Sequence, residues 1–421
     1  MSVPEQERRA RATWSALVEP GDAVAGAIVS TFGPVEAWER VARAVRTSPD
    51  GARAAGLVLE PGDGRDAAAS SGRAEDRDGG DRDARTSGRP EEESPSRARL
   101  ARALARWAPR ASTVDVAPLL GALDALGGTF LVPGDDGWPP ALDALGPTAP
   151  FGLWVRGAAD LARTGARGVA VVGARAATTY GEHVAYDLAA GLAERAVTVV
   201  SGGAFGIDAA AHRGALARSG RTVVVLAGGV DRAYPRGHAR LLEAVVADGG
   251  AVVSEVPVGS VPTRVRFLQR NRLIAGLATA TVVVEAAWRS GAISTAYHAS
   301  TLLRPVGAVP GPVTSVASAG CHRLLRSGVA VCVTDTAEVL ELAGLDGPAP
   351  DPPDVPTRPG DGLPEHVRRV LEAAPARRAL EPGALAVAAG VSLAEAHAAL
   401  GLLELDGLVR REGAGWRRAR P

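Results

Sequence analysis

The stretch Ser201-Gly202-Gly203-Ala204-Phe205-Gly206-Ile207-Asp208 separates a short apolar run from an alanine-rich one. The run before it, 197–200, predicts a buried strand, and the run after it, 209–217, predicts a helix. Glycines at a strand-to-helix turn let a ligand approach the backbone closely, and the free N–H groups at a helix N-terminus attract anions. The stretch therefore predicts a binding site for an anion, in particular a phosphate.

From Gly168 onward, short runs rich in valine, alanine and leucine alternate with helical patterns. Near-continuous apolar runs are typical of strands that are covered on both faces of a parallel sheet. The predicted strands are 169–172, 197–200, 222–226, 251–254, 281–284 and 306–309, and the helices between them are 182–195, 207–218, 237–247, 266–277 and 292–303. This order predicts an α/β domain with a doubly wound, mainly parallel sheet.

The segments around this domain differ from it in composition. Residues 61–97 lack large apolar side chains, so they cannot offset the entropy of ordering and are predicted to be a disordered insertion. The predicted organisation is a helical N-terminal region at 1–60 that resumes at 98–114, the α/β domain at 115–345, a linker at 346–362 and a C-terminal unit at 363–421.

The C-terminal unit predicts three helices followed by a hairpin around Glu412-Gly413-Ala414, which is typical of a winged-helix domain. Its third helix, 393–405, would be the recognition helix, yet its polar face carries Glu395 and His397 and no arginine. The hairpin is basic. A weak DNA contact and a protein-interaction module both stay open as roles for this unit.

The composition limits the chemistry of the site. All 47 basic residues are arginines, because the chain has no lysine, and 47 acidic residues bring the net charge to zero. A lysine Schiff base and a P-loop lysine are thereby excluded, so arginines, backbone amides and helix N-termini must hold any phosphate. Cys321 and Cys332 have no metal-ligand spacing, and we see neither a signal peptide nor a membrane-spanning run, which predicts a cytoplasmic protein without a membrane partner.

Further loops after predicted strands carry residues suited to an anion. Gly173 and Arg175 follow the first strand, and Tyr234 and Arg236 follow the third. Arg264, Arg266, Arg270 and Arg272 lie together in sequence around Asn271, and no acid lies among them, which favours an acidic ligand over a solvated surface. Because loops at the same edge of a parallel sheet converge, we expect these groups to line one crevice.

Glu285 ends a predicted strand and is followed by Ser290-Gly291 before a helix, which repeats the design of an anion site. Glu285 could be a general base, a ribose ligand or a structural acceptor of loop amides, and Asp208 is expected to hold its loop. We find neither a Ser-His-Asp arrangement nor a metal-ligating cluster, so the sequence predicts a protein that is not an enzyme and needs no cofactor.

These motifs, taken in order, resemble the DprA family, also called Smf, of DNA-processing proteins. The resemblance rests on Gly173-Ala174-Arg175, residues 201–208, Asp231 with Tyr234-Pro235, Ser254-Glu255-Val256-Pro257, residues 270–277, residues 283–286, Ser290-Gly291 and Val309-Pro310-Gly311. It covers residues 115 to 345 closely. The chain departs from the family pattern at Ala174, where serine is usual, and at Leu268, where proline is usual.

The resemblance implies an extended Rossmann fold, a SAM-like N-terminal domain, a winged helix and a homodimer. It also implies binding of single-stranded DNA, protection of that DNA and loading of the RecA recombinase during natural transformation. The implied phosphate-binding residues are Gly173, Arg175, Ser201, Gly202, Gly203, Gly206, Arg236, Arg270, Asn271, Arg272, Ser290 and Gly291, with Asp208, Tyr234 and Glu285 as supporting residues of the pocket.

A second hypothesis is a nucleotide sensor or an enzyme that cleaves nucleoside monophosphates on a Rossmann-type fold. Glu285 followed by Ser290-Gly291 motivates it. Such enzymes generally carry Pro-Gly-Gly-x-Gly-Thr before a helix, which is absent here, and this favours the DNA-binding hypothesis.

Overall fold

One nine-stranded sheet organises the computed structural model, which describes residues 3–48, 51–59, 95–158, 160–345, 363–376 and 378–419. Its strands are β1 (Gly128–Leu131), β2 (Leu153–Gly157), β3 (Gly168–Val172), β4 (Thr198–Ser201), β5 (Thr222–Leu226), β6 (Ala251–Ser254), β7 (Ala280–Val283), β8 (Val306–Ala308) and β9 (Val331–Cys332).

The order of the strands across the sheet is β1-β2-β6-β5-β4-β3-β7-β8-β9. The pairs β1–β2 and β2–β6 are antiparallel, and every other pair in the sheet is parallel. The chain adds β4, β5 and β6 on one side of β3 and then β7, β8 and β9 on the other. The predicted doubly wound, mainly parallel sheet is confirmed, and each of its predicted strands lies within about one residue of an observed strand.

Fourteen α-helices accompany this sheet among the described residues up to Leu345. They are α1 (Glu5–Leu17), α2 (Ala23–Phe32), α3 (Pro34–Thr47), α4 (Gly51–Leu59), α5 (Pro95–Ala111), α6 (Ala117–Ala125), α7 (Leu161–Arg167), α8 (Thr179–Glu194), α9 (Ile207–Ala217), α10 (Ala239–Ala247), α11 (Arg264–Gly276), α12 (Gly291–Thr301), α13 (Ala319–Arg326) and α14 (Thr336–Leu342). The short helices α7, α13 and α14 and the two-residue strand β9 were not predicted.

The valine-rich strands are buried because helices cover both faces of the sheet. On β3, Ala170 and Val172 pack on one side with residues of α11 and α12, whereas Val169 and Val171 pack on the other with residues of α8 and α9. This alternation explains why the strands read as continuous apolar runs.

The N-terminal helices pack directly against the sheet, and the residues up to Asp346 form one compact unit. The Ser15 hydroxyl of α1 donates to the main-chain oxygen of Glu255 at 2.6 Å and accepts from Trp154 Nε1 of β2 at 2.9 Å. Arg8 makes an ion pair with Asp135 at 2.7 Å. Residues 95–97, predicted to belong to the insertion, begin α5 instead, whereas 61–94 and the predicted linker 346–362 lie outside the described residues.

The second compact unit comprises α15 (Glu365–Ala373), α16 (Pro382–Ala389), α17 (Leu393–Leu405) and the antiparallel strands β10 (Val409–Glu412) and β11 (Gly415–Arg418). Ser392 and Glu395 form a reciprocal capping box at the start of α17. These are the elements predicted for this segment, and its identification as a winged helix stays a prediction. Among the described helices, none is by itself long and apolar enough to span a membrane. The pair α16 and α17 meets those criteria only together, across a bend of 103°.

His212 on α9 is buried and neutral, and it makes the stability of the fold depend on pH. It is fully buried, its Nδ1 lies 2.7 Å from the Thr222 hydroxyl, and its Nε2 has no hydrogen-bond partner. Because that hydroxyl donates its hydrogen to the oxygen of Val199 at 2.8 Å, its own oxygen accepts a hydrogen bond from the Nδ1–H group of His212. Burial lowers the pKa of His212 from 6.5 to about 3, so the folded protein resists its protonation.

We predict that His212 destabilises the fold progressively as the pH falls below 6.5, because only the unfolded chain takes up the proton. The free energy of unfolding of wild type should fall, relative to His212→Asn, by about 1.4 kcal/mol per pH unit between roughly pH 6 and pH 4. Urea denaturation over this range measures the difference. His183→Asn, which changes an exposed histidine, is the control, and a difference for His212→Asn that is constant with pH would contradict the prediction.

Candidate functional site

A cleft of about 570 Å³ opens where β3, β4 and β7 end. Val172 and Gly173 line it after β3, Ala204 after β4 and Ser290 after β7, while α11 forms a further wall. Because β3 lies between β4 and β7, this is where the winding of the sheet reverses, and ligands of α/β proteins bind at such points. This central cleft brings together the predicted residues Gly173, Arg175, Asp208, Tyr234, Arg270, Asn271, Ser290 and Gly291.

Arg270 is the buried cation of the central cleft, with only 6% of its surface exposed. Its Nη1 donates to the main-chain oxygen of Gly202 at 2.7 Å and to that of Val225, which lies at the end of β5. Burial lowers the pKa of Arg270 to about 10, with Asp208 opposing the shift and Arg175 adding to it. Arg270 therefore remains charged at neutral pH, and the loop after β4 already occupies part of its hydrogen-bonding capacity.

Phe267 places a second cation beside Arg270. Its ring centroid lies 4.7 Å from Cζ of Arg175 and 5.8 Å from Cζ of Arg270, and 5.4 Å from the ring of Tyr234. Arg175 is exposed to solvent, so its guanidinium is stacked on a ring but free to bind an anion. Phe267 was missed as a site residue. The sequence does carry a signal for this residue. Phe267 lies one helical turn before Arg270 and is the only aromatic residue of the arginine-rich helix α11.

The glycine stretch forms part of the cleft wall, and the first amide of the helix that follows it is not free. Gly206 has φ +72°, and a Cβ there would lie 2.4 Å from the oxygen of Ala174 in the first loop. That same oxygen accepts the Ile207 N–H, the first amide of α9, at 3.2 Å. This one amide is therefore not among the free N–H groups that were predicted to face a phosphate, because the loop after β3 accepts its hydrogen bond.

Further hydrogen bonds hold residues 201–208 in place. The Ser201 hydroxyl donates to the oxygen of Val171 at 2.7 Å, and the oxygen of Gly203 lies 2.9 Å from His238 Nδ1. The carboxylate of Asp208 accepts the Ala204 N–H at 3.2 Å, so it holds its loop as predicted. Burial raises the pKa of Asp208, and nearby Arg270 opposes that shift.

The expectation that the arginine cluster lacks acidic partners is wrong. Arg266 binds Glu19 with two hydrogen bonds of 2.8 and 3.1 Å, and Arg272 binds Glu255 with two of 2.8 and 2.7 Å. Both acids come from outside the cluster in sequence. Arg272 is buried and lies outside the lining of the central cleft, whereas Arg264 is exposed and lines it.

Glu285 acts as an acceptor for the loop after β3, one of its three predicted roles. It is 2% exposed, and its two oxygens accept the Thr178 N–H at 2.9 Å and the Thr178 hydroxyl at 2.6 Å. Thr178 in turn caps α8. Across the cleft, Asn271 Nδ2 donates to the oxygen of Gly291 at 3.2 Å, which ties α11 to the start of α12.

Some predicted residues lie outside the lining of the central cleft. Gly202 lines a small side recess of about 90 Å³ together with Arg175, Phe205 and Tyr234. Arg236 is exposed in a short 3-10 helix after Tyr234. The others outside the lining are Ser201, Gly203, Gly206, Arg272 and Glu285. Within the described ranges, no group of three or more His, Cys, Asp or Glu side chains could hold a metal ion.

Known proteins include a family and several relatives whose sequences are similar to this chain. The family model of DNA recombination-mediator protein A matches residues 129–344, which run from β1 to the end of the α/β part. A putative DNA processing protein DprA from Mycobacterium tuberculosis is 50% identical over 305 residues, covering 69% of this chain and 77% of that protein. Protein Smf from Escherichia coli is 42% identical over 212 residues, covering 50% of this chain and 56% of that protein.

Among solved structures, the X-ray structure of DprA from Streptococcus pneumoniae is similar to this chain with a TM-score of 0.51 and 34% sequence identity. The match covers 58% of this chain and 84% of that one.

We predict that Arg270 and Arg175 contribute very differently to stability. Arg270→Ala should lower the free energy of unfolding by about 3 kcal/mol or more, because it leaves buried Asp208 and the oxygens of Gly202 and Val225 without their partner. Arg175→Ala should change it by less than about 0.5 kcal/mol, because that guanidinium is exposed. Chemical denaturation followed by circular dichroism measures both. Equal losses in the two variants would show that Arg270 does not hold the loop.

Proposed function

The chain belongs to the DNA recombination-mediator protein A family, also called DprA or Smf, and from this we propose that it binds single-stranded DNA in the central cleft. The observation that carries the proposal is the pair of guanidiniums, Arg175 and Arg270, that share the ring of Phe267. Arg175 adds to the lowering of the pKa of Arg270, and a phosphate that contacts both guanidiniums would offset this repulsion.

The charges around the central cleft support an anionic ligand. Of the described residues that line it, Arg175, Arg264 and Arg270 are basic and Asp208 is the one acid. Burial raises the pKa of Asp208 and nearby Arg270 opposes that shift, and this single acid faces three basic side chains. Neither Arg175 nor Arg264 has an ion-pair partner in the described part of the chain. A DNA backbone would supply the missing negative charge.

Aromatic side chains beside these arginines favour a single strand over a duplex. Phe205 is 51% exposed and Tyr234 is 46% exposed, and both line the recess next to Arg175 and Phe267. Bases of a single strand can stack on exposed rings, whereas a duplex keeps the faces of its bases inside the helix. Arg236, exposed beyond Tyr234, would extend the basic path for the backbone.

We propose that this binding is not coupled to catalysis. A nucleoside monophosphate-cleaving enzyme on this fold would need a free carboxylate, but both oxygens of Glu285 accept hydrogen bonds from Thr178. Incubation with nucleoside monophosphates should release no free base. Measurable release would favour the enzyme hypothesis.

The wider roles follow from membership of the family and are proposals for this chain. We propose that it acts as a homodimer in the cytoplasm, protects incoming single-stranded DNA and helps to load RecA in transformation or recombination. The helical N-terminal region would be SAM-like and the C-terminal unit a winged helix. The exposed charged residues of α17 and its C-cap are Glu395, Glu404 and Asp406, whereas the hairpin exposes Arg410 and Arg411, so this unit could serve a protein partner or make a weak DNA contact.

We predict that Arg175→Ala and Arg264→Ala each weaken the binding of oligonucleotides of every sequence to a similar degree, because phosphate contacts carry no sequence information. Each loss should also reduce the slope of log affinity against log salt by about 0.7, the value for one phosphate contact to a single strand. Fluorescence anisotropy titrations of single- and double-stranded oligonucleotides at several salt concentrations measure this.

Arg163→Ala is the matched control, since Arg163 is an exposed arginine on α7 that does not line the central cleft. Wild-type protein without salt-sensitive affinity for oligonucleotides would refute the proposed function. Unchanged binding by both cleft variants would refute the proposed location.

A further inference from the structure

An exposed tryptophan lies just outside the central cleft. Trp288 belongs to the loop between β7 and α12, and 57% of its surface is exposed. Ser290 of the same loop lines the cleft. Two residues of chain span at most about 7 Å, so a strand that leaves the cleft past Ser290 passes close to this loop.

Arg323 of α13 holds the indole from one side. Its Cζ lies 4.9 Å from the Trp288 ring, its Nη1 donates to the Trp288 oxygen at 3.3 Å, and its Nε is buried without a hydrogen-bond partner. The helix that carries it is itself bonded to the loop, because Gly320 N–H donates to the oxygen of Ala286 at 2.7 Å. The ring is therefore held in place with more than half of its surface open to solvent.

The charge around this ring is positive and uncompensated. Arg289 follows Trp288 directly, and Arg326 lies one turn beyond Arg323; both are exposed. In the described ranges of the chain, none of these arginines makes an ion pair with an acid. An exposed aromatic ring among unpaired arginines is the pattern of single-stranded nucleic acid sites, where bases stack on rings and arginines attract the backbone.

We propose that Trp288, supported by Arg323, is a second contact site that stacks a nucleobase of the single strand where it leaves the central cleft. This inference rests on the proposed function and adds a base contact to its phosphate contacts. The open face of the indole would take the base, and Arg323 would stiffen the ring from its other face and attract the neighbouring phosphate.

The test compares strands of two lengths. Oligothymidylates of about 6 and about 20 nucleotides are titrated by fluorescence anisotropy against wild type, Trp288→Ala and Arg323→Gln. Trp288→Ala should weaken binding of the long strand about 5- to 50-fold, with an unchanged salt slope, and that of the short strand less than about twofold. Arg323→Gln should weaken the long strand as well, but with a slope reduced by about 0.7.

Matched variants separate stacking from simple hydrophobic contact. Trp288→Phe should restore most of the affinity for the long strand, and Trp288→Leu should not, because leucine has no ring to stack on. Tyr186→Ala removes an exposed aromatic residue of α8 that does not line the cleft, and it should leave both affinities unchanged. Photocrosslinking of a long strand that contains iododeoxyuridine should label the peptide with Trp288.

Several results would overturn the inference. Wild-type affinity of Trp288→Ala for the long strand would do so, as would equal losses for the two lengths or equal rescue by leucine. Unchanged DNA affinity with an altered molar mass in light scattering would make Trp288 a self-association contact instead. If Arg175→Ala still weakens binding in these cases, the proposed function stands and only this inference fails. If wild type binds neither strand, both fail.

Discussion

The buried guanidinium of Arg270 is the interaction on which the site depends. A buried charge must be paired and hydrogen-bonded, and here the partners are two main-chain oxygens, those of Gly202 and Val225, with Asp208 nearby. These partners come from the loop after β4 and the end of β5, whereas Arg270 comes from α11. One side chain thus links α11 and the loop after β4, which both line the central cleft, to the end of β5.

Because of this constraint, the buried and the exposed arginines have different roles. Because Arg270 gives part of its hydrogen-bonding capacity to the main chain and Arg272 binds Glu255, exposed Arg175 and Arg264 are the cleft arginines whose guanidiniums are not held by the fold. Phe267 is next to both kinds, since its ring centroid lies 4.7 Å from Cζ of exposed Arg175 and 5.8 Å from Cζ of buried Arg270. The positive charge of the cleft is therefore partly buried, at Arg270, and partly exposed, at Arg175, whose guanidinium is stacked on a ring.

The sheet could be predicted from the sequence because its strands are buried on both faces. A short, continuous apolar run such as 222–226 is typical of such a strand. The convergence of Gly173, Arg175 and Ser290 could be predicted because parallel strands end at one edge. Contacts between distant segments could not. Glu19 pairs with Arg266 across 247 positions, and the need for Gly206 arises from Ala174 in another loop. The short helices carry too little periodic pattern to be recognised.

The pair Glu19–Arg266 also shows that the cleft is not self-contained. The matched family region begins at residue 129, yet α11, the helix that carries Arg264, Phe267 and Arg270, is bonded to the N-terminal region through Glu19. The bond from Ser15 to the oxygen of Glu255 adds a second link, because Glu255 holds Arg272 of the same helix. Hydrogen bonds from the N-terminal region therefore help to hold α11 in place. The orientation of the α11 residues that line the cleft depends on this region as well as on the α/β domain.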